Sequence, residues 1–245
     1  MIPAAAQDTL EVRLADVRRR IAEACARSGR RPEDVALVAA TKTVPPETLR
    51  APWCLGLHHF GENRVQEALG KQAHLQDCPA KWAMIGHLQT NKAAAVAGFA
   101  DSFHALDSLR VAEALQRALD RVDRRMDVFV QVNTSGEASK YGVPPGDAAA
   151  LLSGLQPLNR LRVRGLMTLA VFSDDPVQVR ACFRQLAQTR TVLRERWSEV
   201  RELSMGMSGD FEAAIEEGAT VVRIGQAIFG HRATPDSAYW PRAAG

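Results

Sequence analysis

Ser204-Met205-Gly206-Met207-Ser208-Gly209-Asp210, then a short helical run, then Val221-Val222-Arg223-Ile224-Gly225: on this stretch the fold turns. It has the order strand, glycine-bearing turn, helix, strand, glycine turn. Main-chain N–H groups without intrahelical partners gather at such a helix N-terminus, which predicts an anion seat suited to phosphate. Ser208 is placed as the N-cap, while Gly206 and Gly209 permit close backbone approach. Asp210 and Glu212 fall in the first helical turn, where acids complement the helix dipole without any chemical role. Gly225 supplies a second turn directly after the next strand, and barrel phosphate sites are commonly built from the last two loops.

Working outward, short apolar runs occupy residues 35–41, 57–60, 82–85, 102–105, 128–132, 162–167, 201–205 and 220–224. Segments 65–75, 109–119, 148–155, 177–193 and 211–217 carry apolar residues at helical steps instead. Strands alternating with helices imply right-handed crossovers and a parallel sheet. Eight such units in 245 residues predict a single α/β domain over 1–245, a (β/α)₈ TIM barrel. An additional N-terminal helix is expected at about residues 8–28, from Leu10, Leu14, Val17 and Ile21, with Gly29 as its stop. The Pro45-Pro46 and Pro144-Pro145 pairs are expected to begin helices. Pro52, Trp53 and Gly56 leave the second connection short and its helix undefined.

Hydrophobic residues make up 46% of the chain, enough to bury a full core. The 31 Lys and Arg against 28 Asp and Glu are interspersed and carry no aromatic interleaving, so nucleic-acid binding is not expected. Four scattered cysteines, Cys25, Cys54, Cys78 and Cys182, read as reduced thiols, and no histidine sits at metal spacing, so no metal site is expected. The N-terminus lacks a basic start with a long apolar region, and no run approaches transmembrane length, so a cytoplasmic protein without membrane contact is expected. No extensive exposed apolar surface can be identified, which favours a monomer.

In a barrel the strand C-termini share one mouth. Lys42, Gly61-Glu62-Asn63, His87, Asp107, Asn133, Met167 or Thr168, Ser204 to Ser208 and Arg223 to Gln226 would meet there. Lys42 alternates with Val38 and Ala40; partial desolvation would raise its neutral amine fraction for attack on an aldehyde, against the plainer alternative of a solvated lysine or one paired with Glu62. Arg223 points opposite to Val222 and Ile224, either toward a carboxylate such as Glu217 or Glu62 or toward a ring nitrogen that its permanent charge would keep unprotonated. His87 and His104 read more readily as structural or solvent-facing than as catalytic.

Lys42 after its apolar strand, Phe60-Gly61-Glu62-Asn63-Arg64-Val65-Gln66-Glu67, and Trp82 with Ile85-Gly86-His87-Leu88-Gln89-Thr90-Asn91-Lys92 carry a resemblance. So do Gln131-Val132-Asn133 with Ser139-Lys140-Tyr141-Gly142, Arg164-Gly165-Leu166-Met167, and residues 203–230. Over nearly its whole length the chain resembles the YggS-like pyridoxal phosphate homeostasis proteins. The resemblance implies a barrel similar to that of alanine racemases, with pyridoxal 5′-phosphate bound as a Schiff base on Lys42. It further implies Arg223 at the pyridine nitrogen, phosphate on Ser208 and the amides of Met207 and Gly225, and Asn63, Met205 and His87 around the ring. Gln226 stands where the family often has a hydroxyl residue, and Arg64 where an aromatic is frequent.

A related racemase needs a second domain to supply a base on the opposite cofactor face, and the residues after Gly230 are too few to build one. The implied function is a carrier or buffer that supplies the cofactor to apo-forms of pyridoxal phosphate enzymes, with no catalytic residues of its own. The alternatives are a pyridoxal phosphate-dependent amino-acid racemase, and a cofactor-free barrel enzyme forming a Schiff base with a phosphorylated sugar. Neither Lys42→Ala nor Arg223→Glu is expected to unfold the barrel.

Overall fold

The apolar runs become eight strands, each pairing in parallel with the next and the last closing on the first. The computed structural model describes residues 9–230. Asp8, the expected start of the N-terminal helix, and residues 231–245 of the expected domain lie outside that span. The strands are β1 Ala36–Ala40, β2 His59–Glu62, β3 Lys81–Met84, β4 Ser102–Leu106, β5 Met126–Gln131, β6 Leu161–Met167, β7 Glu202–Ser204 and β8 Val221–Ile224. The expected (β/α)₈ barrel is the observed fold.

Most strand ends fall within two residues of expectation. The second strand starts at His59 rather than Leu57, because Gly56 at φ +83° and the Leu57 N–H donating to Pro52 O close a turn there. Leu57 is apolar because that turn buries it, not because it is strand.

The helices are α1 Leu10–Arg27, α2 Arg50–Cys54, α3 Val65–His74, α4 Ala93–Phe99, α5 Leu109–Arg121, α6 Ala148–Leu155, α7 Pro176–Arg194, α8 Phe211–Glu216 and α9 Gln226–Phe229. Thr9 caps α1 by accepting from the Val12 N–H, and Leu14, Val17 and Ile21 form the buried stripe that packs on α8 and α9. Arg20 with Glu212 and Arg27 with Glu216 tie the same helices together at the surface. The proline pairs do lead into helix, through the short 3₁₀ turns Pro46–Thr48 and Pro145–Asp147. The helices α4 and α9 were not expected. α4 is an Ala-rich segment whose sequence offers no polar face to contrast with its buried one.

Two imidazoles lie in the barrel wall. Burial lowers His59 to about 4, with Lys81 adding to the effect, and burial together with Arg223 holds His104 well below the ordinary histidine range. Both are neutral when folded and take up protons in the unfolded chain below about pH 6.5. The unfolded state then binds more protons, so stability falls as pH drops from about 6.5 toward 4. The urea midpoint is expected to be lower at pH 5 than at pH 7; equal midpoints would show that these rings do not stay neutral in the fold.

Candidate functional site

Parallel register brings the distant candidates together. Val38 of β1 pairs with Arg223 of β8, and Ala40 of β1 pairs with Gly61 of β2. Lys42, two residues past β1, therefore stands between the strand that carries Arg223 and the strand that leads into Asn63. Register partners in parallel strands present their side chains to one face, so Val38 and Arg223 share a side. Gly61 is confined there: a Cβ would lie 2.8 Å from Val38 Cγ1 and 3.1 Å from Ile85 Cδ1.

The backbone before Lys42 is anchored by a buried ion pair. Lys71 Nζ donates to Thr41 O at 2.7 Å and to Glu62 Oε1 at 2.5 Å, and Thr41 Oγ1 donates to the same carboxylate oxygen at 2.5 Å. Lys71 and Glu62 are only 2% and 1% exposed. Burial pushes the Glu62 carboxyl up, while the charge of Lys71 and the bonds to Lys71 and Thr41 pull it back. Glu62, offered from sequence as a partner of Lys42 or Arg223, is thus engaged by Lys71. Immediately after Lys42, Thr43 adopts φ +67°, a costly conformation for a β-branched residue, with its N–H on Glu67 Oε2 at 3.3 Å.

Arg223 is 3% exposed and bonds to neutral groups only. It donates to Ser204 Oγ at 2.7 Å and Thr168 O at 2.9 Å. No carboxylate among the described residues lies within ion-pair distance. Glu217, the other partner considered from sequence, pairs with Arg180 and Arg184 instead. Burial lowers the guanidinium to about 10, with Asp210 opposing, so it stays cationic at neutral pH. A buried cation stabilised by neutral acceptors is suited to a ligand acceptor that carries no proton.

The turn expected to seat an anion has internal partners other than those expected. Ser208 does not cap α8; its Oγ accepts from the Gly225 and Ala227 N–H groups, each at 3.2 Å, at the start of α9. The N-cap of α8 is Asp210, and its Oδ1 takes the Met207 N–H at 2.5 Å. The Met207 amide, expected to face the phosphate, here donates to a carboxylate. Burial pushes the Asp210 carboxyl up, against the Met207 bond and Arg223. Gly206 is tightly packed as well, since at φ +96° its Cβ would meet Ala214 Cβ at 2.7 Å. What remains is a hydroxyl with two convergent amides, one turn after Arg223.

The family model for the alanine racemase N-terminal domain matches residues 12–233. A pyridoxal phosphate homeostasis protein of Aquifex aeolicus is 42% identical over 221 residues, spanning 90% of this chain and 97% of that protein. Its counterpart in Pseudomonas aeruginosa is 43% identical over 224 residues, spanning 91% and 96%. This chain belongs to the pyridoxal phosphate homeostasis protein family. PipY of Synechococcus elongatus, solved with PLP bound, matches the fold with a TM-score of 0.80 at 34% identity, covering 91% of this chain and 100% of that one.

The remaining candidates of this family member lie around the same mouth. Gly86 fits against Asn63, where a Cβ would come within 2.7 Å of the Asn63 carbonyl oxygen, and so sets His87 beside Asn63. His87, its side chain 34% exposed, stacks on Tyr141 at 3.9 Å and approaches Asp107 Oδ2 at 3.4 Å. Asn133 is absorbed in shaping the loop after β5, donating to Glu137 O and Lys140 O, while Gln131 holds Tyr141 O. Met205 is fully buried. A depression of about 650 Å³, bounded by His87, Gln89, Asn91, Ser108 and Arg110, flanks the mouth and shares only His87 with these residues.

Sequence reasoning missed Lys71 and the part played by His104. An ion pair between Glu62 and Lys71 spans a strand and a helix, and the bond from His104 to Ser204 spans 100 residues of chain. No local pattern announces either. No described helix is long and apolar enough to cross a membrane.

Proposed function

We propose that this chain binds pyridoxal 5′-phosphate at the barrel mouth and takes part in its homeostasis as a carrier. The observation that supports the reading is the register of β1 with β8, which brings the strand leading into Lys42 alongside the strand that carries the buried cation Arg223, one turn before the Ser208 hydroxyl and the Gly225 and Ala227 amides gathered on it. That donor set fits the cofactor's three features: an amine for an aldehyde, a permanent donor for an unprotonated ring nitrogen, and neutral N–H and O–H groups for phosphate. Names of relatives and the PLP-bound PipY structure support the same ligand.

Bound there, the cofactor supplies an electrophilic aldehyde and a ring able to delocalise charge. Lys42 would supply the amine for that aldehyde, the bond forming with loss of water and reversing with its return. Arg223 would donate to the ring nitrogen without surrendering a proton, because even lowered to about 10 it remains charged near neutral pH. A ring whose nitrogen stays unprotonated is a poor charge sink, which favours holding over catalysis. We place the protein in the cytoplasm, as a monomer that passes the cofactor to apo-enzymes.

Lys42→Ala is expected to remove the Schiff-base absorbance band of the loaded protein and to weaken binding at least about tenfold, phosphate contacts remaining. An unchanged band would reassign the amine. The wild-type protein loaded with cofactor is expected to leave L-alanine optically intact; inversion on the order of 1 per second would make it a racemase.

A further inference from the structure

The barrel interior holds a polar chain that the proposed function does not use. His104, on β4 and 1% exposed, lies between Ser102 Oγ at 3.1 Å and Ser204 Oγ at 2.9 Å, and Ser204 in turn meets Arg223. We propose that His104 is a positioning residue for the cofactor, fixing through Ser204 the direction in which Arg223 presents its guanidinium. This rests on the reading of Arg223 as the group that faces the ring nitrogen.

The direction of each bond follows from what the groups can do. Arginine only donates, so Ser204 Oγ accepts from Arg223. Ser204 is fully buried, and its own O–H needs an acceptor; His104 Nδ1 is the one at hand. That assignment leaves the imidazole proton on Nε2, where it donates to Ser102 Oγ. Burial, the largest cause, and the nearby Arg223 keep the ring neutral, as the assignment requires. Phe129, its ring 4.2 Å away, restrains the plane of the imidazole. Thr168 O holds a second nitrogen of the guanidinium, so two of its corners are fixed by the barrel. Its other N–H donors bond no described residue and are left for a ligand.

If His104 only filled the core, an apolar ring of similar volume would serve as well. If it positions Arg223, what matters is the acceptor at Nδ1, which Asn can reproduce and Phe cannot. The test titrates pyridoxal 5′-phosphate into the full chain and its variants, reading affinity and the absorbance band. His104→Phe is expected to weaken binding about tenfold, the worth of one buried hydrogen bond, with His104→Asn within about threefold of the parent. In an Arg223→Ala background, His104→Phe is expected to add nothing, because both changes remove one unit.

Additive losses, or equal losses for Phe and Asn at position 104, would overturn the proposal. Should His104→Phe not fold, Ser204→Ala breaks the same link with a smaller change and carries the same cycle. An Arg223→Ala variant with unchanged affinity and band would instead refute the placement of Arg223. The Lys42 experiment would stand apart from that result.

Discussion

Lys71→Ala is expected to destabilise the barrel by about 3–5 kcal/mol, the usual consequence of stripping one partner from a buried ion pair. Two acceptors lose their donor at once, and the carboxylate loses its counterion. Glu62 Oε1 keeps only the Thr41 hydroxyl, Glu62 Oε2 already has no hydrogen-bond partner, and Thr41 O loses the ammonium. Both members of the pair are almost wholly excluded from solvent, so water cannot replace the lost contacts cheaply. For a domain of this size the thermal midpoint should fall by roughly 10 °C. Combining Lys71→Met with Glu62→Gln should recover a large part of the loss, since the uncompensated charge is gone. Urea unfolding of the three proteins checks this. A Lys71→Ala variant within about 1 kcal/mol of the parent would mean that the pair does not anchor the strand end.

Arg223→Glu is the second large effect, and here the structure revises the expectation of an undisturbed fold. The arginine is buried among groups that need a donor, the Thr168 carbonyl and the Ser204 hydroxyl. A carboxylate there would face a carbonyl oxygen, and Asp210 close enough to influence Arg223 would become a like charge. A loss of about 3 kcal/mol is expected, read as a lowered urea midpoint. In the fraction that remains folded, a carboxylate opposite the ring nitrogen should hold a proton on it, giving a red-shifted or more reactive cofactor. An unchanged midpoint and an unchanged spectrum together would place Arg223 away from both the network and the ring.

How far the fold was legible follows from where the information lies. Alternating β-branched runs and amphipathic helices are local, so the barrel could be read from the chain. The helix α4 escaped because Ala93 to Phe99 lacks contrast between faces, and the start of β2 was misplaced because Leu57 is apolar for the sake of a turn. Lys42 and Arg223 were legible as polar residues ending or interrupting apolar strands. The hydrogen-bond partners of Arg223 were not.

Ser208 lies within reach of two helix starts, and only tertiary packing decides that it serves α9 while Asp210 serves α8. The same holds for the amide of Met207, which a sequence shows as available and the fold assigns to Asp210. Hydrogen-bond direction inside the barrel depends on residues from three strands and could not be read from any one of them.

The central claim is that Lys42 is the amine that holds the cofactor. Borohydride reduction of the full chain loaded with pyridoxal 5′-phosphate, followed by peptide mass mapping, tests it most directly. The account predicts one stoichiometric pyridoxyl adduct on the peptide containing Lys42. A label confined to another lysine, or none despite saturating cofactor, would contradict it.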